Sequence, residues 1–228
     1  MKLEIIATSL QDALLAERAG ADRLELCSAL TEGGLTPSLG LIEAVVEGVS
    51  IPVHVIVRPH SRTFNYSEED IQVMLADIRH IQQTKAAGIV IGILDETQRV
   101  DTVNLKRFLV AAGNLNVTFH RAFDEIEDQL KAVDMIGDFP QIQRILTSGG
   151  QAPAPQSVEK IRQLVEKTKN TSVTILAGNG MTPEGLAGFI EATGITEVHF
   201  GSAVREHQSF QYPINQEVIT NIKSIISQ

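Results

Sequence analysis

Short β-branched runs alternate along this chain with amphipathic stretches whose apolar residues recur at helical spacing. Such alternation is typical of βαβ units, in which helices connect parallel strands. The pattern occurs eight times and predicts strands at residues 2–7, 23–26, 53–57, 88–93, 116–120, 144–146, 173–176 and 197–200. Each predicted strand is followed by a helical segment.

Residues that favour helix ends support this count. Ser, Thr or Asn stands before several of the apolar stretches, and glycine often follows them, as expected for N-caps and C-terminal stops. These signals predict helices at residues 10–19, 39–47, 68–85 and 105–112, and a later helix that Thr182-Pro183-Glu184 opens and Gly194 ends.

The links from strand to helix are longer than the links from helix to strand. Residues 28–37 and 58–67 form two of the long links, whereas residues 86–88 form a short one. In a (β/α)8 barrel the long links gather at the carboxyl ends of the strands, where the functional residues lie. We therefore predict an α/β protein with a TIM (β/α)8 barrel as a single domain over residues 1–228. A doubly wound open sheet is the competing architecture.

The composition mainly limits the classes of partner and the cellular location that we expect for the protein. The apolar fraction is 43% and Trp is absent, so Ile, Leu, Val and Ala must form the core. A net charge of −9 without any run of Lys or Arg argues against nucleic acid and membranes as partners. No apolar stretch approaches the roughly 18 residues of a membrane span, and Glu4 in the first apolar run favours a strand over a signal peptide. Because Cys27 is the one cysteine, we expect a cytoplasmic protein.

Polar residues interrupt the second strand in a regular pattern. Glu25 and Cys27 alternate with Leu24 and Leu26, which directs the first pair into the barrel and the leucines toward the helices. A buried carboxylate is costly unless it is paired. Glu25 is therefore either part of the functional site or one half of an internal salt bridge, for example with Arg58.

The third and fifth strands end in ionisable residues. Arg58 can hold a carboxylate or phosphate through two hydrogen bonds, and it can also pair with a protein acid. His120, Arg121 and Asp124 place an imidazole, a fixed cation and a carboxylate close together. Because histidine transfers protons near neutral pH, His120 is the candidate general acid/base, with Glu25 or Asp124 orienting it or sharing the proton.

Glycine-rich turns follow the last three strands. Backbone amides at such turns attract anions, and in barrels the loops after strands seven and eight often bind phosphate. The candidate anion-binding positions are Arg58, Arg121, Ser148, Gly149, Gly178, Asn179, Gly180, Gly201 and Ser202. The sequence therefore predicts a small anionic ligand, such as a phosphorylated molecule.

The sequence shows no spacing typical of a metal site. CxxC, HxxxH and HExxH patterns do not occur, and no motif for an organic cofactor is evident. His54 and His199 lie early in their strands and are expected to fill the barrel interior. Motifs alone therefore indicate neither a resident metal nor a cofactor.

Several motifs resemble, in this order, those of the CutC family. They are GADRLELC at residues 20–27, EGGLTPS at 32–38, VRP at 57–59, TFHRAFD at 118–124 and LTSG at 146–149. The resemblance runs from Leu3 to about Ser202. It implies a cytoplasmic TIM barrel of the CutC type that takes part in copper homeostasis and self-associates, for example as a homodimer. It also implies that Cys27 is the Cu(I) ligand, which agrees with the softness of thiolate and ion.

Three features depart from the family's pattern. Ile6 stands where members often carry a second cysteine, residues 60–64 replace a Gly-rich stretch, and Asn179 replaces a glycine. Asparagine tolerates left-handed backbone geometry, so the last change is compatible with the same loop shape. Without the second cysteine, Cu(I) needs a further ligand from Met181, another chain or a small thiol.

Three functions are compatible with these residues. The first is copper homeostasis through Cu(I) binding at Cys27. The second is an enzyme that acts on a small anionic or phosphorylated molecule with His120 as acid/base. The third is an interaction scaffold without catalysis, which the convergence of ionisable residues at one face disfavours.

Overall fold

The computed structural model, which describes residues 1–169 and 171–227, is a closed barrel of eight parallel strands in chain order. β1 pairs with both β2 and β8, which closes the barrel. The strands are β1 (Lys2–Ala7), β2 (Arg23–Leu26), β3 (Val53–Ile56), β4 (Gly88–Ile91), β5 (Asn116–Phe119), β6 (Ile142–Thr147), β7 (Thr174–Ala177) and β8 (Glu197–Phe200). The predicted α/β barrel is confirmed, and the closed strand order excludes a doubly wound open sheet.

One α-helix follows each strand in the part of the chain that the structure describes. The helices are α1 (Leu10–Arg18), α2 (Leu39–Gly48), α3 (Glu68–Gln82), α4 (Thr102–Ala112), α5 (Gln129–Gly137), α6 (Val158–Thr168), α7 (Leu186–Thr193) and α8 (Gln216–Ile226). Ser9 caps α1 by accepting the N–H of Asp12, and Ser67 and Asp70 form a reciprocal capping box on α3. None of the described helices has both the length and the apolar composition needed to cross a bilayer.

Two helices begin at residues that the cap signals do not predict. α4 starts at Thr102, because the Asp101 carboxylate accepts the first free backbone N–H groups of the helix. α7 starts at Leu186 and not at Thr182, because Gly185 adopts a left-handed φ of +78° and separates the preceding segment from the helix. Both helices still follow the strands that the sequence pattern assigns to them.

Side chains alternate between the two faces of each strand, so the apolar residues form one region outside the barrel and one inside it. Leu24 and Leu26 belong to the large core, which lies between the barrel and its helices. A small group of buried residues, called the inner cluster below, lies inside the barrel and consists of Ile6, Cys27, Ile56 and Val90. The predicted directions of the β2 side chains are thereby confirmed.

Toward the amino ends of the strands, the barrel interior is ionic. Nη2 of Arg23 donates a hydrogen bond of 2.6 Å to Glu197, and Nε of Arg23 donates to Glu4. All three side chains are less than 10% exposed. Burial alone would raise the pKa of Glu4, but the charges of Arg23 and His199 hold it well below its ordinary value. Paired charges therefore fill the barrel floor.

The link after β8 is tied to the first helix. Nη2 and Nη1 of Arg205 donate to the Asp12 carboxylate at 2.6 and 3.2 Å, and the pair is buried. Nη1 also donates to the backbone oxygen of Tyr212 at 3.0 Å. The Arg205 guanidinium lies over the Phe210 ring, 5.1 Å from its centroid. This ion pair fixes the link that carries Phe210.

Candidate functional site

A cavity of about 590 Å³ lies at the carboxyl ends of the strands and is lined by the links that follow them. Its position agrees with the expectation that this face of a barrel carries the functional residues. Of the predicted site residues, the following line it: Glu25, Cys27, Arg58, His120, Arg121, Asp124, Asn179, Gly180, Gly201 and Ser202. The three catalytic candidates, the thiol and most anion-binding candidates are thus brought together.

Three predicted anion-binding positions are absent from the cavity lining. Ser148 is fully buried, and its side chain contacts Asp124 and Arg121. Gly149 lies against α6, and Gly178 lies against side chains of β6 and β8. These three residues shape the turns behind the cavity wall, so the structure does not support a direct contact between them and a ligand.

Glu25 reaches the cavity from inside the barrel and is only 4% exposed. Nε2 of His199 lies 3.7 Å from its carboxylate, and Nδ1 of the same ring lies 2.8 Å from Glu4. Burial raises the pKa of Glu25, although the charge of His199 acts against this. Burial alone would lower the pKa of His199, but its hydrogen bond with Glu4 and the charge of Glu25 raise it. Glu25 therefore holds a proton more readily than an ordinary carboxyl, as a general acid must.

Arg58 does not pair with Glu25 in the described structure, so that interpretation of the sequence is wrong. Its Nη1 donates to the backbone oxygen of Gly34 at 3.3 Å, and its Nη2 donates to that of Ser61 at 3.4 Å. The guanidinium also lies over the Phe64 ring, 4.7 Å from the centroid. Arg58 therefore stabilises the links after β2 and β3, and most of its donors are already in use.

His120 lines the cavity with one ring nitrogen engaged. The backbone N–H of Ala122 donates to Nδ1 at 3.1 Å, so the neutral ring carries its proton on Nε2. Nε2 is buried and has no hydrogen-bond partner among the described residues. Burial, and next the charge of Arg58, lowers the pKa of His120 to about 3. At neutral pH the ring is therefore uncharged, with its Nε2–H free of a partner among the described residues.

Arg121 is held at the mouth by Asp124. Nε donates to the Asp124 carboxylate at 2.8 Å, and Nη2 donates to the Ser148 hydroxyl at 3.2 Å. Asp124 also accepts the Ser148 N–H at 3.1 Å and the Thr147 hydroxyl. The Asp124 side chain is 4% exposed, whereas that of Arg121 is 41% exposed. Within residues 1–169 and 171–227, Nη1 of Arg121 makes no hydrogen bond, which leaves it free to bind an anion.

The turn after β7 has the geometry that its sequence predicts. Asn179 and Gly180 adopt left-handed φ angles of +74° and +76°, which confirms that asparagine is tolerated at this position. A Cβ on Gly180 would lie 2.6 Å from Pro153, so glycine is also required by space. Together with Gly201 and Ser202 after β8, this turn brings backbone to the cavity.

Carboxylates are present at the exposed rim of the cavity. Glu32 and Glu125 line it, and both residues are exposed. Ser61 donates a hydrogen bond of 2.7 Å to Glu32. Glu125 belongs to the same short turn as Arg121, and Glu32 lies in the link after β2, so exposed carboxylates stand on both sides of the mouth.

Several cavity residues carry no signal in the sequence. Phe64 and Phe210 are apolar residues of irregular links, and Gln151 and Thr182 lie in turns. The pattern predicts His199 only as an interior residue, yet it also lines the cavity. Period-two alternation identifies the inner face of a strand, but it does not show which links fold over the mouth.

Comparison with known proteins identifies the family. The chain matches the CutC family over residues 1–204. It belongs to the CutC family. It is 42% identical to a CutC family protein of Salmonella enteritidis PT4 over 202 residues, which are 89% of this chain and 80% of the relative. A crystal structure of CutC from Streptococcus agalactiae, described as a copper homeostasis protein, is 31% identical with a TM-score of 0.82, over 88% of this chain and 98% of that one.

Barrels outside the CutC family share the architecture. Phosphoribosyl anthranilate isomerase from Thermococcus kodakaraensis aligns with this CutC chain at a TM-score of 0.64 and 14% identity, over 99% of this chain and 98% of that one. At this level of identity the likeness shows the fold alone.

A resident copper ion would need suitable ligands among the residues of this CutC protein. Cu(I) prefers thiolate ligands, but burial and the charge of Glu25 raise the pKa of Cys27 well above its ordinary value. In the described part of the chain, no group of three or more His, Cys, Asp or Glu residues has the arrangement of a metal site. Met181 also lines the cavity. The described residues of one chain therefore do not fit a closed, resident copper site.

Proposed function

We propose that this CutC protein is an enzyme that binds a small anionic molecule at the barrel mouth and transfers a proton to or from it. One observation supports this most: the Arg121 guanidinium, the Nε2 of His120 and the Glu25 carboxyl all belong to residues that line one cavity. A cation, a neutral donor and a proton-holding acid are the parts of an acid–base active site.

Each of these groups has a role in the proposal. Arg121 binds the anion through Nη1, and the turn after β7 supplies backbone N–H groups. His120 donates a hydrogen bond from Nε2 to an oxygen of the bound molecule. Glu25 carries the proton that is transferred, because its pKa is raised. Asp124 acts through Arg121 and is a positioning residue.

This assignment changes the acid/base residue that the sequence pattern favours. His120 is the choice from sequence, because imidazole ordinarily titrates near neutral pH. With its pKa lowered to about 3, the ring stays neutral at physiological pH. Glu25 takes the proton-transfer role in the proposal, and His120 keeps a role in binding and orienting the molecule.

A role in copper homeostasis is the second part of the proposal. The Streptococcus agalactiae relative is described as a copper homeostasis protein, and we propose the same broad role for this chain. The single cysteine favours a cytoplasmic location. Cu(I) would be a cargo bound at Cys27, with Met181, a second copy of the chain or a small thiol as the further ligand.

The anion site is tested with inorganic phosphate. Isothermal titration calorimetry at low ionic strength compares the wild-type protein with Arg121→Gln. We expect the variant to bind phosphate at least about tenfold more weakly, because it loses a charge-assisted hydrogen bond. Arg79→Gln, which changes an exposed residue of α3, is the matched control and should bind normally. Equal binding by wild type and Arg121→Gln, or no binding by wild type, would refute the anion site.

The copper role is tested separately. Cu(I) is titrated anaerobically against a competing chelator with the wild-type protein and Cys27→Ala. We expect stoichiometric binding by the wild type and its loss in the variant. An unchanged titration in Cys27→Ala would refute direct binding at this thiol, and it would leave the anion site unaffected.

A further inference from the structure

The cavity is much larger than an inorganic anion requires. Its volume of about 590 Å³ lies within the range of roughly 300–1,000 Å³ that is typical of ligand pockets. Sites of this size ordinarily hold small organic molecules. Since Arg121 lies on one side of the mouth, the space beside the apolar residues is available to an uncharged part of the ligand.

Apolar residues form much of one wall of the cavity, called the apolar wall below. Three members of the inner cluster, Ile6, Cys27 and Ile56, line the cavity, and Leu30 and Phe210 pack against the cluster. These residues belong to β1, β3 and the links after β2 and β8. An apolar wall gains free energy when an apolar group displaces its water.

Two phenylalanines at the mouth are held by guanidinium groups. Phe64 lies under Arg58 at 4.7 Å and near the His120 ring, with 5.0 Å between the ring centroids. Phe210 lies under Arg205 at 5.1 Å. Arg58 and Arg205 are both buried and hydrogen-bonded to backbone oxygens, so the two rings have fixed supports. Fixed aromatic rings bind apolar groups with little loss of side-chain entropy.

Part of the apolar wall lies across the mouth from Arg121. In a closed barrel of eight strands in chain order, β1 stands opposite β5. Ile6 belongs to β1, whereas Arg121 follows β5. A ligand that uses both sides must therefore span the mouth, with its charge at one end and its apolar part at the other.

We infer that the molecule bound at this mouth is an amphipathic organic anion, such as an aryl phosphate or aryl carboxylate. Arg121 holds its charged group, and its apolar body packs on the inner cluster beside Phe64 and Phe210. This inference rests on the proposed anion site and adds the class of ligand. Inorganic phosphate or a short polar phosphate ester does not displace water from the apolar wall, and it therefore binds more weakly.

Three probes separate the two ends of the ligand. Phenyl phosphate, inorganic phosphate and phenol are each titrated by calorimetry into the full-length protein under the same conditions. We expect phenyl phosphate to bind at least about tenfold more tightly than inorganic phosphate, because its ring is buried on the apolar wall. It should also bind more tightly than phenol, which lacks the charged group.

Variants then locate the apolar contact. Phe210→Ala and Phe64→Ala should each reduce the advantage of phenyl phosphate over phosphate by about threefold or more. Phe210→Leu keeps an apolar side chain and should retain most of the advantage. Tyr212→Ala is the control, because this aromatic residue lies in the same link, is 43% exposed and is absent from the cavity lining. Circular dichroism and thermal melts confirm that each variant folds.

The outcomes distinguish the inference from the proposed function. Equal affinities for phenyl phosphate and phosphate would overturn the inference and leave the anion site standing. If both phenylalanine variants keep the wild-type ratio of affinities for phenyl phosphate and phosphate, the assigned location of the ligand's apolar part is wrong. If neither anion binds the wild-type protein, the proposed function fails, and the inference fails with it.

Discussion

Nδ1 of His199 lies 2.8 Å from the carboxylate of Glu4, and both side chains are buried inside the barrel. The other nitrogen of the ring faces Glu25 at 3.7 Å. The imidazole therefore connects the paired charges of the barrel floor with the acid at the cavity. Two buried carboxylates on one ring favour its protonated form, so His199 influences how firmly Glu25 holds its proton.

Replacement of His199 tests this connection. His199→Gln removes one hydrogen-bond partner of Glu4 and leaves the Arg23 pair in place, so we expect the free energy of unfolding to fall by about 1–3 kcal/mol. Urea denaturation below pH 6.5, the ordinary pKa of histidine, measures the loss. The loss should shrink as the pH rises through the raised pKa of folded His199, because that contribution exists only while the ring is protonated. His80→Gln, on the surface of α3, is the control, and equal losses in both variants would contradict the prediction.

A close approach between Gly92 and His120 gives a second prediction. A Cβ at Gly92 would lie 2.4 Å from both Nδ1 and Cε1 of the imidazole. Gly92→Ala should therefore displace the ring, lower stability by about 1–3 kcal/mol and weaken phosphate binding. Gly188→Ala on α7 is the matched control, because nothing lies within 4 Å of its new Cβ. The control should be stabilised by about 0.4–1 kcal/mol. A neutral effect of Gly92→Ala would show that the ring has room to move.

The lowered pKa of His54 predicts how the stability of the protein depends on pH in acid. Burial lowers the pKa of His54 from 6.5 to about 3, so between these values the unfolded chain binds a proton that the folded chain does not. Stability should consequently fall as the pH drops below about 6.5. In His54→Gln the melting temperature should fall less steeply over this range, whereas His80→Gln should keep the wild-type slope. Parallel curves for wild type and His54→Gln would show that this residue does not contribute to the pH dependence.

Cys27 should be an unreactive thiol in the folded protein. It is 1% exposed, and burial together with the charge of Glu25 raises its pKa. Since the thiolate is the reacting species, modification by a disulfide reagent at neutral pH should be at least about tenfold slower than in denaturing urea. Rapid stoichiometric modification of the native protein would contradict this burial.

The barrel could be predicted from the sequence because each strand is a local pattern with local ends. β1, β2 and β8 begin and end at the predicted residues, where alternating runs are bounded by turn residues. β5 ends at Phe119, one residue earlier than predicted. The backbone N–H of His120 still donates to Ile91 of β4 at 2.8 Å, but its ring accepts the N–H of Ala122 and a short 3₁₀ turn begins there. A contact of this kind depends on the side chain's conformation, which periodicity does not reveal.

The site could be predicted only in part, because its contacts join distant segments. Glu25 and Cys27 could be assigned to the interior from alternation within β2. The bond from His199 to Glu4 spans 195 positions and has no local signature. The position of Phe64 at the mouth depends on Arg58, whose donors bind backbone oxygens of two links. Link conformations of this kind follow from packing, and a single sequence does not specify them.

The stretch that matches the family ends one residue before Arg205. Phe210 lies beyond that boundary, whereas Asp12, which anchors Arg205, lies within it. The end of the matched stretch therefore divides the apolar side of the cavity, with Ile6, Cys27 and Ile56 before it and Phe210 after it. Under the proposed function, a different side chain at position 210 would change the ligand body that fits and would leave Glu25 and Arg121 in place.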